Sequence, residues 1–312
     1  MNIIELLSGE KYVSGNEIGR ALGISRAAVH KRVQTLIKSG CIIESSPKGY
    51  RIIKKADIFS SKEVFDRLGK TISVCKKIYH FRQTGSTQIK LKKLALKNAV
   101  EGSIVVADSQ ISAYGRMQRN WSSLPGGLWF SVLLKPKILP EHASKLALII
   151  SISLSRTLEK YYKVQTSIKW PNDLLYGDKK LSGTVIEMSA EQDSVNWVVA
   201  GIGINVNNVL PKDLPDAISL LEILNNDTGR AELLSCILKD FDDIYQQFQQ
   251  SGFSQFIGEF NSKIAFMGEA VTIDNGFDII KGMNKGIDET GRILIETADS
   301  VRKIASGTLR KF

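Results

Sequence analysis

The sequence predicts an α+β protein made of three consecutive units, and three observations support this prediction. The first 60 residues contain two short amphipathic helical patterns, followed by two β-branched runs around a turn. The centre alternates strand-like and helical patterns irregularly, which is typical of a mixed sheet with packed helices. From Gly268 onward, short strand patterns are separated by Asn-Gly and Thr-Gly turns, which predicts a small β-barrel. We therefore expect domains at residues 1–60, 65–262 and 266–312.

The composition is that of a globular protein. The 312 residues are 43% hydrophobic and 24% charged, with only 7 prolines, which leaves little room for long disordered tracts. The longest strongly apolar stretch, Leu146 to Leu154, is far shorter than a membrane span, and the first residues lack a basic segment and a cleavage site. The three cysteines and three histidines do not cluster, so no metal site is expected. We expect a cytoplasmic protein without a membrane partner.

The charge of the chain is unevenly distributed. The formal net charge is +10, which favours polyanionic partners such as nucleic acid or nucleotides. Residues 1–60 contain ten Lys/Arg and five Asp/Glu, so half of the excess positive charge falls in a fifth of the chain. The N-terminal unit is therefore the first place to look for nucleic-acid contacts.

The first helical pattern begins after Ser14 and ends at Gly23, and the second begins after Ser25. Each serine can cap a helix N-terminus, and the glycine lets the chain turn sharply between the two helices. This spacing predicts a helix-turn-helix. The apolar positions of the second helix fall on one face, namely Val29, Val33, Leu36 and Ile37.

The outer side of the second helix carries small and basic residues, which suit a DNA major groove where base edges and phosphates are both in reach. Residues 41–53 form two β-branched runs around a Ser-Pro-Lys-Gly turn, which predicts a hairpin wing. A basic protein-binding module is the alternative, but capped helices, a tight turn and a wing together favour DNA binding. We expect a linker at residues 54–57. The predicted DNA contacts are Ser25, Arg26, Ala27, His30, Lys31, Gln34 and Lys48.

The central region combines six strand-like runs with three helical patterns. The strands are predicted at residues 78–81, 104–107, 128–134, 167–170, 184–187 and 197–204, and the helices at residues 87–98, 143–162 and 230–250. No Gly-x-Gly-x-x-Gly follows a strand, and no Gly-x-x-x-x-Gly-Lys-Ser/Thr occurs. Any nucleotide must therefore bind in a site that is neither of the Rossmann nor of the P-loop type.

Four segments, in this order, resemble the biotin protein ligases. They are Gly85-Ser-Thr-Gln, residues 110–121, Lys169-Trp-Pro-Asn-Asp with Lys180-Leu-Ser-Gly-x-x-x-Glu, and Gly201-Ile-Gly-Ile-Asn. The third segment is the most specific. Because these segments follow a predicted winged helix-turn-helix, the chain resembles the bifunctional ligases that also repress the biotin operon. The resemblance implies a central mixed-sheet catalytic domain of the biotin/lipoate ligase type and an SH3-like C-terminal β-barrel.

The resemblance implies an acyl-adenylate-forming ligase. Such an enzyme joins biotin to ATP to give biotinyl-5'-AMP, and then transfers biotin to a lysine of the biotin carboxyl carrier protein. In the first step a carboxylate attacks the α-phosphate of ATP, and two anions repel each other strongly in a site of low dielectric. Fixed cations must neutralise this charge, and Mg²⁺ usually assists at the phosphates. By resemblance, the catalytic cations are Lys180 and Arg116.

The resemblance also assigns the binding residues. Residues 111–121 are expected to fold over the biotinyl-adenylate and exclude water, Trp121 to pack on adenine, and the glycines before Asn205 to permit close approach. Contacts to biotin are expected from Ser86, Thr87, Gln88, Gln110, Tyr114, Gly115, Arg116, Lys180 and Gly183. Contacts to ATP or the adenylate are expected from Arg119, Trp121, Asn172, Asp173 and Asn205.

The chain departs from the family pattern in the loop. Where the family has Gly-Arg-Gly-Arg-x-Gly-Arg, residues 113–119 read Ala-Tyr-Gly-Arg-Met-Gln-Arg, with one arginine and two glycines fewer. Two alternatives therefore stay open: a ligand-sensing repressor that has lost catalysis, and a ligase for another acyl group such as lipoate. The expected partners are biotin, ATP, the carrier protein, operator DNA and, when ligand is bound, a second copy of the chain.

Overall fold

The contacts in the computed structural model divide the chain into two units, Met1–Phe59 and Ser60–Phe312. The structure describes residues 3–38, 41–54, 57–70 and 72–312. The linker predicted at residues 54–57 lies partly outside the described residues. None of the helices in the described ranges has the length and apolar character that a membrane crossing requires.

The N-terminal unit contains the predicted helix-turn-helix and wing. Its elements are α1 (Ile3–Leu6), α2 (Gly15–Leu22), α3 (Arg26–Lys38), β1 (Ile42–Ser46) and β2 (Gly49–Lys54). A capping box starts α2, because the Ser14 hydroxyl accepts the Glu17 N–H and the Glu17 carboxylate accepts the Ser14 N–H. Gly23 ends α2 at φ 64°, in the left-handed region where glycine is favoured. Both cap predictions are confirmed.

The core of this unit lies between α2, α3 and the wing. Ile18, Val29, Val33 and Leu36 are buried together with Ile52 of β2. The prediction for Ile37 is wrong, because its side chain is 36% exposed. The buried stripe of α3 continues through positions 29, 33 and 36, and the next residue points about 100° away from it.

The second unit is built on a mixed seven-stranded sheet in the order β3-β4-β5-β9-β8-β7-β6. Only β3 and β4 are parallel. Its strands are β3 (Lys77–Thr84), β4 (Ser103–Gln110), β5 (Leu128–Leu134), β6 (Ser167–Lys169), β7 (Asp173–Tyr176), β8 (Lys179–Ala190) and β9 (Val195–Ile204). Its helices are α4 (Ser61–Leu68), α5 (Thr87–Ala95), α6 (Lys145–Tyr162), α7 (Leu220–Leu224), α8 (Arg230–Ser251) and α9 (Ile257–Lys263). All six predicted strands and all three predicted helices are present.

Helices cover the sheet and exclude water from its strands. Leu91 and Ala95 of α5 pack on Val105, Leu133 and Val199 of the sheet, and all five are buried. The longer α6 is apolar on most of its surface and packs between the sheet and α8. Because α5 begins where β3 ends, its N-terminus is fixed at the edge of the cavity described below.

The C-terminal part is a five-stranded antiparallel sheet in the order β13-β12-β11-β10-β14. Its strands are β10 (Ala270–Asp274), β11 (Ile279–Ile287), β12 (Ile293–Glu296), β13 (Val301–Ile304) and β14 (Thr308–Lys311). Hydrogen bonds fasten it to the larger sheet, since Asn261 of α9 pairs with the backbone of Ile287 in both directions and the Trp170 indole donates to the Gly291 carbonyl. The fold class predicted from the sequence is confirmed.

Candidate active site

The second unit contains a cavity of about 510 Å³. It is lined by the start of α5, by the loop between β4 and β5, by residues of β7, β8 and β9, by residues 210–217 and by residues 307–309. All fourteen residues predicted to bind biotin or nucleotide line this one cavity, although they come from distant parts of the sequence. The contacts of these residues with biotin or nucleotide belong to the proposed function.

One corner of the cavity is polar and uncharged. Ser86 caps α5 by accepting the Ile89 N–H, and the Gln110 side-chain oxygen accepts the Thr87 N–H at 2.7 Å. The Ser131 hydroxyl donates to the Thr87 hydroxyl oxygen at 2.9 Å, which leaves the Thr87 hydroxyl proton to donate elsewhere. Ser86 and Thr87 are each only 4% exposed. The corner is therefore a rigid set of donors and acceptors, which suits a neutral polar ring.

A carboxylate beside this corner joins three elements. Glu187 of β8 accepts hydrogen bonds from Gln88 at 3.0 Å, from Lys92 at 2.9 Å and from the Tyr114 hydroxyl at 2.8 Å. Burial, reinforced by the hydrogen bond to Glu187, raises the pKa of Tyr114, so its hydroxyl remains a donor at neutral pH. Tyr114, one of three residues at which the loop departs from the pattern that it resembles, thus ties the loop to α5 and β8.

Sequence reasoning did not place Glu187 or Lys92 in the site. A signal existed for the first, because Glu187 is the final residue of the Lys-Leu-Ser-Gly-x-x-x-Glu segment. None existed for Lys92, which is one of several lysines on α5.

The loop itself is a tight hairpin. The Gly115 N–H donates to the Arg119 carbonyl at 2.7 Å, and the Trp121 N–H donates to the Ala113 carbonyl at 3.0 Å. At the tip, Met117 and Gln118 have φ values of 56° and 57°, a region that side chains other than glycine disfavour. The family pattern has glycine at the position of Gln118. The chain keeps this turn without the glycine, at a conformational cost of about 1 to 2 kcal/mol.

The glycines of β9 make room for protein side chains. A Cβ on Gly201 would lie 2.5 Å from the Gln88 side chain, and a Cβ on Gly203 would lie 2.7 Å from the Trp121 indole. The predicted close approach at these glycines is therefore made by Gln88 and Trp121. Trp121 packs on β9 at Gly203, its ring lies edge-to-face with Trp129 at 6.3 Å between centroids, and it forms one wall of the cavity.

The cationic part of the cavity centres on Lys180. Its ammonium group lies 2.7 Å from the Asp173 carboxylate and 5.0 Å from the centre of the Trp121 ring. Lys180 belongs to β8, and its side chain is 35% exposed. The second oxygen of Asp173 is buried and has no hydrogen-bond partner. The ion pair therefore places a half-exposed cation at the cavity, while one oxygen of its carboxylate partner is buried and lacks a hydrogen bond.

Two loop arginines complete the cationic part. Arg116 donates to the Asn172 side-chain oxygen and to the Gly307 carbonyl, both at 3.2 Å, and Arg119 donates to the Thr308 hydroxyl at 3.3 Å. These partners are neutral oxygens, so no carboxylate of the described chain is hydrogen-bonded to either guanidinium. Burial lowers the pKa of Arg116, with Asp173 opposing this effect and Arg119 adding to it. A half-buried guanidinium that is hydrogen-bonded only to neutral oxygens favours an anionic ligand.

Sequence reasoning also left Lys169 of β6 out of the site. It lines the cavity, and burial lowers the pKa of Lys169, an effect that Asp173 opposes and Lys180 strengthens. A half-buried lysine beside another lysine favours an anionic ligand, in addition to the nearby Asp173 carboxylate. Its place as the first residue of Lys-Trp-Pro-Asn-Asp was the signal available in the sequence.

The predicted DNA face lies in the other unit. The Ser25 hydroxyl accepts the Ala28 N–H at 3.2 Å and so caps α3 as expected. The His30 ring nitrogen and the Tyr50 hydroxyl lie 3.1 Å apart, which links α3 to the wing. All seven residues predicted to contact DNA are exposed: Ser25, Arg26, Ala27, His30, Lys31, Gln34 and Lys48.

Three family models match consecutive parts of the chain. Residues 1–51 match a helix-turn-helix domain, residues 80–205 match the Biotin/lipoate A/B protein ligase family, and residues 266–308 match the Biotin protein ligase C terminal domain. These matches follow the order of the structural parts described above.

Two relatives are similar to the chain over 99% of its length. The Bifunctional ligase/repressor BirA of Bacillus subtilis is 38% identical over 99% of this chain and 97% of its own length. The protein of the same description from Escherichia coli is 27% identical over 99% of this chain and 96% of its own. Among solved structures, the biotin protein ligase of Aquifex aeolicus in complex with biotin and ATP superposes with a TM-score of 0.69 and 34% identity, covering 76% of this chain and all of that one. The chain therefore belongs to the family of bifunctional biotin protein ligases and repressors.

Proposed function

We propose that the protein forms biotinyl-5'-AMP from biotin and ATP, transfers the biotin to a lysine of a biotin carboxyl carrier protein, and represses biotin genes by binding operator DNA. The observation that carries the enzymatic part is the meeting of fourteen expected ligand residues in one cavity, among them Lys180 and two arginines that are hydrogen-bonded to no carboxylate of the described residues. The exposed basic face of α3 supports the DNA-binding part.

The chemistry of the cavity walls suggests which part of the cavity binds biotin and which part binds ATP. The uncharged corner at Thr87 and Gln110 offers a hydroxyl proton and amide groups to the ureido ring of biotin. Lys180 and Arg116 stand where the biotin carboxylate and the α-phosphate would meet. Trp121 offers a flat wall to adenine.

The proposed reaction has two steps. A carboxylate oxygen of biotin attacks the α-phosphorus, the bond to the bridging oxygen breaks, and pyrophosphate leaves. In the transition state the negative charges of the carboxylate and the phosphate lie closer together than in the separate substrates, and the cations lower the barrier by stabilising this arrangement. In the second step the carrier lysine, as a neutral amine, attacks the acyl carbon, AMP leaves, and the new amide nitrogen loses a proton.

We propose that Mg²⁺ enters with ATP, since no group of three or more possible metal ligands occurs among the described residues. Carboxylates that line the cavity, Asp213 and Asp216 among them, would supply one or two ligands to such an ion, which is often held in this way together with substrate phosphates. The ion would neutralise part of the charge on the leaving pyrophosphate.

The two alternatives that the sequence left open, a repressor without catalysis and a ligase for another acyl group, can be distinguished from the proposed function. A repressor that has lost catalysis would not need Lys180, Arg116 and Arg119 in one cavity, and their arrangement favours the enzyme. A ligase for another acyl group would use the same cations with a different neutral corner. Comparing biotin with lipoate in the same assay distinguishes these two ligases.

We further propose that the ligand-bound protein dimerises and that the carrier protein competes for the same surface. Beyond Gly183, β8 pairs with β9 on one edge, and no described strand pairs with its other edge. Such an edge offers backbone groups to a second chain. We propose that the protein meets the carrier protein and its second copy in the cytoplasm.

We also propose domain limits at residues 1–60, 65–262 and 266–312, which enclose the three family matches.

The deciding experiment incubates the full chain with MgATP, a carrier domain and either biotin or lipoate. We expect biotin on the carrier and no lipoate. Absence of labelled carrier and of pyrophosphate release, with the protein shown to be folded, would refute the enzymatic proposal. Transfer of lipoate alone would establish the other ligase.

For the DNA face we expect that Arg26→Ala or Lys31→Ala weakens operator binding and reduces the slope of log K against log salt by about 1 per lost phosphate contact. Biotin transfer should stay unchanged. Titrations of operator DNA at low and high salt measure both the affinity and its salt dependence. Lys97→Ala, which removes a charge from the other unit, is the control. If the control and the α3 variants bind DNA equally well, the assignment of α3 fails.

For the loop we expect that Tyr114→Phe releases the adenylate faster, because it removes the hydrogen bonds that join the loop to Glu187 and Lys92. Loss of one to two such bonds, each about 0.5 to 1.5 kcal/mol, corresponds to a several-fold effect. The measurement is the fraction of adenylate found free in solution without carrier. Tyr161→Phe, at an exposed tyrosine, should behave as wild type. Equal release by Tyr114→Phe and wild type would show that the hydroxyl does not hold the loop.

A further inference from the structure

Two asparagines beside the end of β9 are almost completely buried. Asn205 is 5% exposed and lines the cavity, and Asn208 is 3% exposed. The Val206 N–H donates to the Asn208 side-chain oxygen at 2.9 Å, and the Asn208 side-chain nitrogen donates to the Asn205 side-chain oxygen at 3.1 Å. Sequence reasoning singled out Asn205 but gave Asn208 no role.

The direction of this chain of hydrogen bonds is fixed at its start. A backbone N–H can only donate, so the Asn208 group that faces Val206 must be its oxygen. The opposite end of the Asn208 amide is then the NH₂ group, and it can only donate. The Asn205 group that receives it must therefore be an oxygen. This leaves the Asn205 NH₂ as the end of that amide that can serve a ligand, and it has no hydrogen-bond partner in the described chain.

The backbone around Asn205 is held independently of the two side chains. The Asn205 N–H donates to the Leu181 carbonyl at 3.0 Å, and the Asn205 carbonyl accepts the Leu220 N–H at 3.1 Å. Rotation of the amide is thus the main freedom that remains to Asn205. A buried amide that turned the other way would set its NH₂ against the NH₂ of Asn208, which is unfavourable.

We infer that Asn208 is a positioning residue that acts through Asn205: it holds the Asn205 amide with its NH₂ toward the cavity, as a donor to the nucleotide. Asn205 follows directly after the last residue of β9, and it lines the same cavity as Gly203 and the Trp121 ring that packs on that glycine. The donor therefore stands beside the wall proposed for adenine. The inference rests on the proposed adenylation activity and deepens it.

The test uses the full chain and measures KM for ATP and for biotin separately, by pyrophosphate release. Asn208→Asp is the deciding variant, because a carboxylate still accepts the Val206 N–H but cannot donate to Asn205. We expect Asn208→Asp and Asn208→Ala to raise KM for ATP by about three- to tenfold, the effect of one hydrogen bond, while KM for biotin changes by less than about twofold. In an Asn205→Ala background, Asn208→Ala should raise KM for ATP no further.

Two results would overturn the inference. If Asn208→Asp keeps the wild-type KM for ATP, Asn208 serves only the backbone of Val206. If Asn207→Ala raises KM for ATP as much as Asn208→Ala does, the effect comes from loosening the segment, since Asn207 bonds to the backbone of Thr228 instead. Failure of the wild-type chain to release pyrophosphate from biotin and ATP would count against the proposed activity and is distinct from both. Melting temperatures of all variants identify any that do not fold.

Discussion

Replacing Lys180 with methionine should slow adenylate formation by about a hundred- to a thousandfold, the usual effect of removing one charge-stabilising donor from a transition state. The structure adds a second reason for a large effect. Lys180 neutralises Asp173 at 2.7 Å, so the variant would leave a carboxylate in a cavity that must receive two anionic substrates. Single-turnover pyrophosphate release measures the rate.

Lys179→Met is the matched control for this prediction. Lys179 precedes Lys180 on β8, but its side chain is exposed and does not line the cavity. It should release pyrophosphate at the wild-type rate. Adding Asp173→Asn to Lys180→Met should restore part of the lost substrate affinity, because the unpaired carboxylate is removed. A wild-type rate in Lys180→Met would exclude the lysine from the chemistry.

Much of the fold follows from local patterns. The serine caps at Ser14 and Ser25 and the left-handed Gly23 are determined by neighbouring residues, so the helix-turn-helix was predictable from spacing. The long strands and helices of the second unit were predictable for the same reason. The short helices α1, α4, α7 and α9 were missed, because helices of four to eight residues contain too few turns to show a clear period.

The contacts that shape the site were not predictable in this way. Tyr114 and Glu187 are 73 positions apart, and Arg116 and Gly307 are 191 apart. Neither pair has a local signature, since each depends on how the loop folds back on the sheet. The resemblance to a family identified which residues share the cavity, but it did not show that the changed loop is anchored by a hydroxyl.

The glycines of β9 are a second example of contacts that the sequence could not predict. Their substitution is the second change from which we expect a large effect. Their spacing marked a site, but what they accommodate, Gln88 and Trp121, is visible only in the structure. Neither glycine has a positive φ, so alanine is compatible with the backbone at both positions. Any functional change in the alanine variants must therefore come from the side chain that the new methyl group displaces.

Gly203→Ala should raise KM for ATP by about ten- to a hundredfold, because a Cβ 2.7 Å from the Trp121 indole forces this rigid ring away from β9 and shifts the proposed adenine wall. Gly201→Ala should act on biotin instead, and more weakly, because the Gln88 side chain it meets at 2.5 Å is flexible at its end. Gly258→Ala, where a Cβ meets nothing within 4 Å, is the control and should match wild type. KM for ATP and KM for biotin, each measured by pyrophosphate release, separate the two effects. Equal losses for ATP and biotin in both variants would mean that the two glycines support the sheet rather than two distinct binding walls.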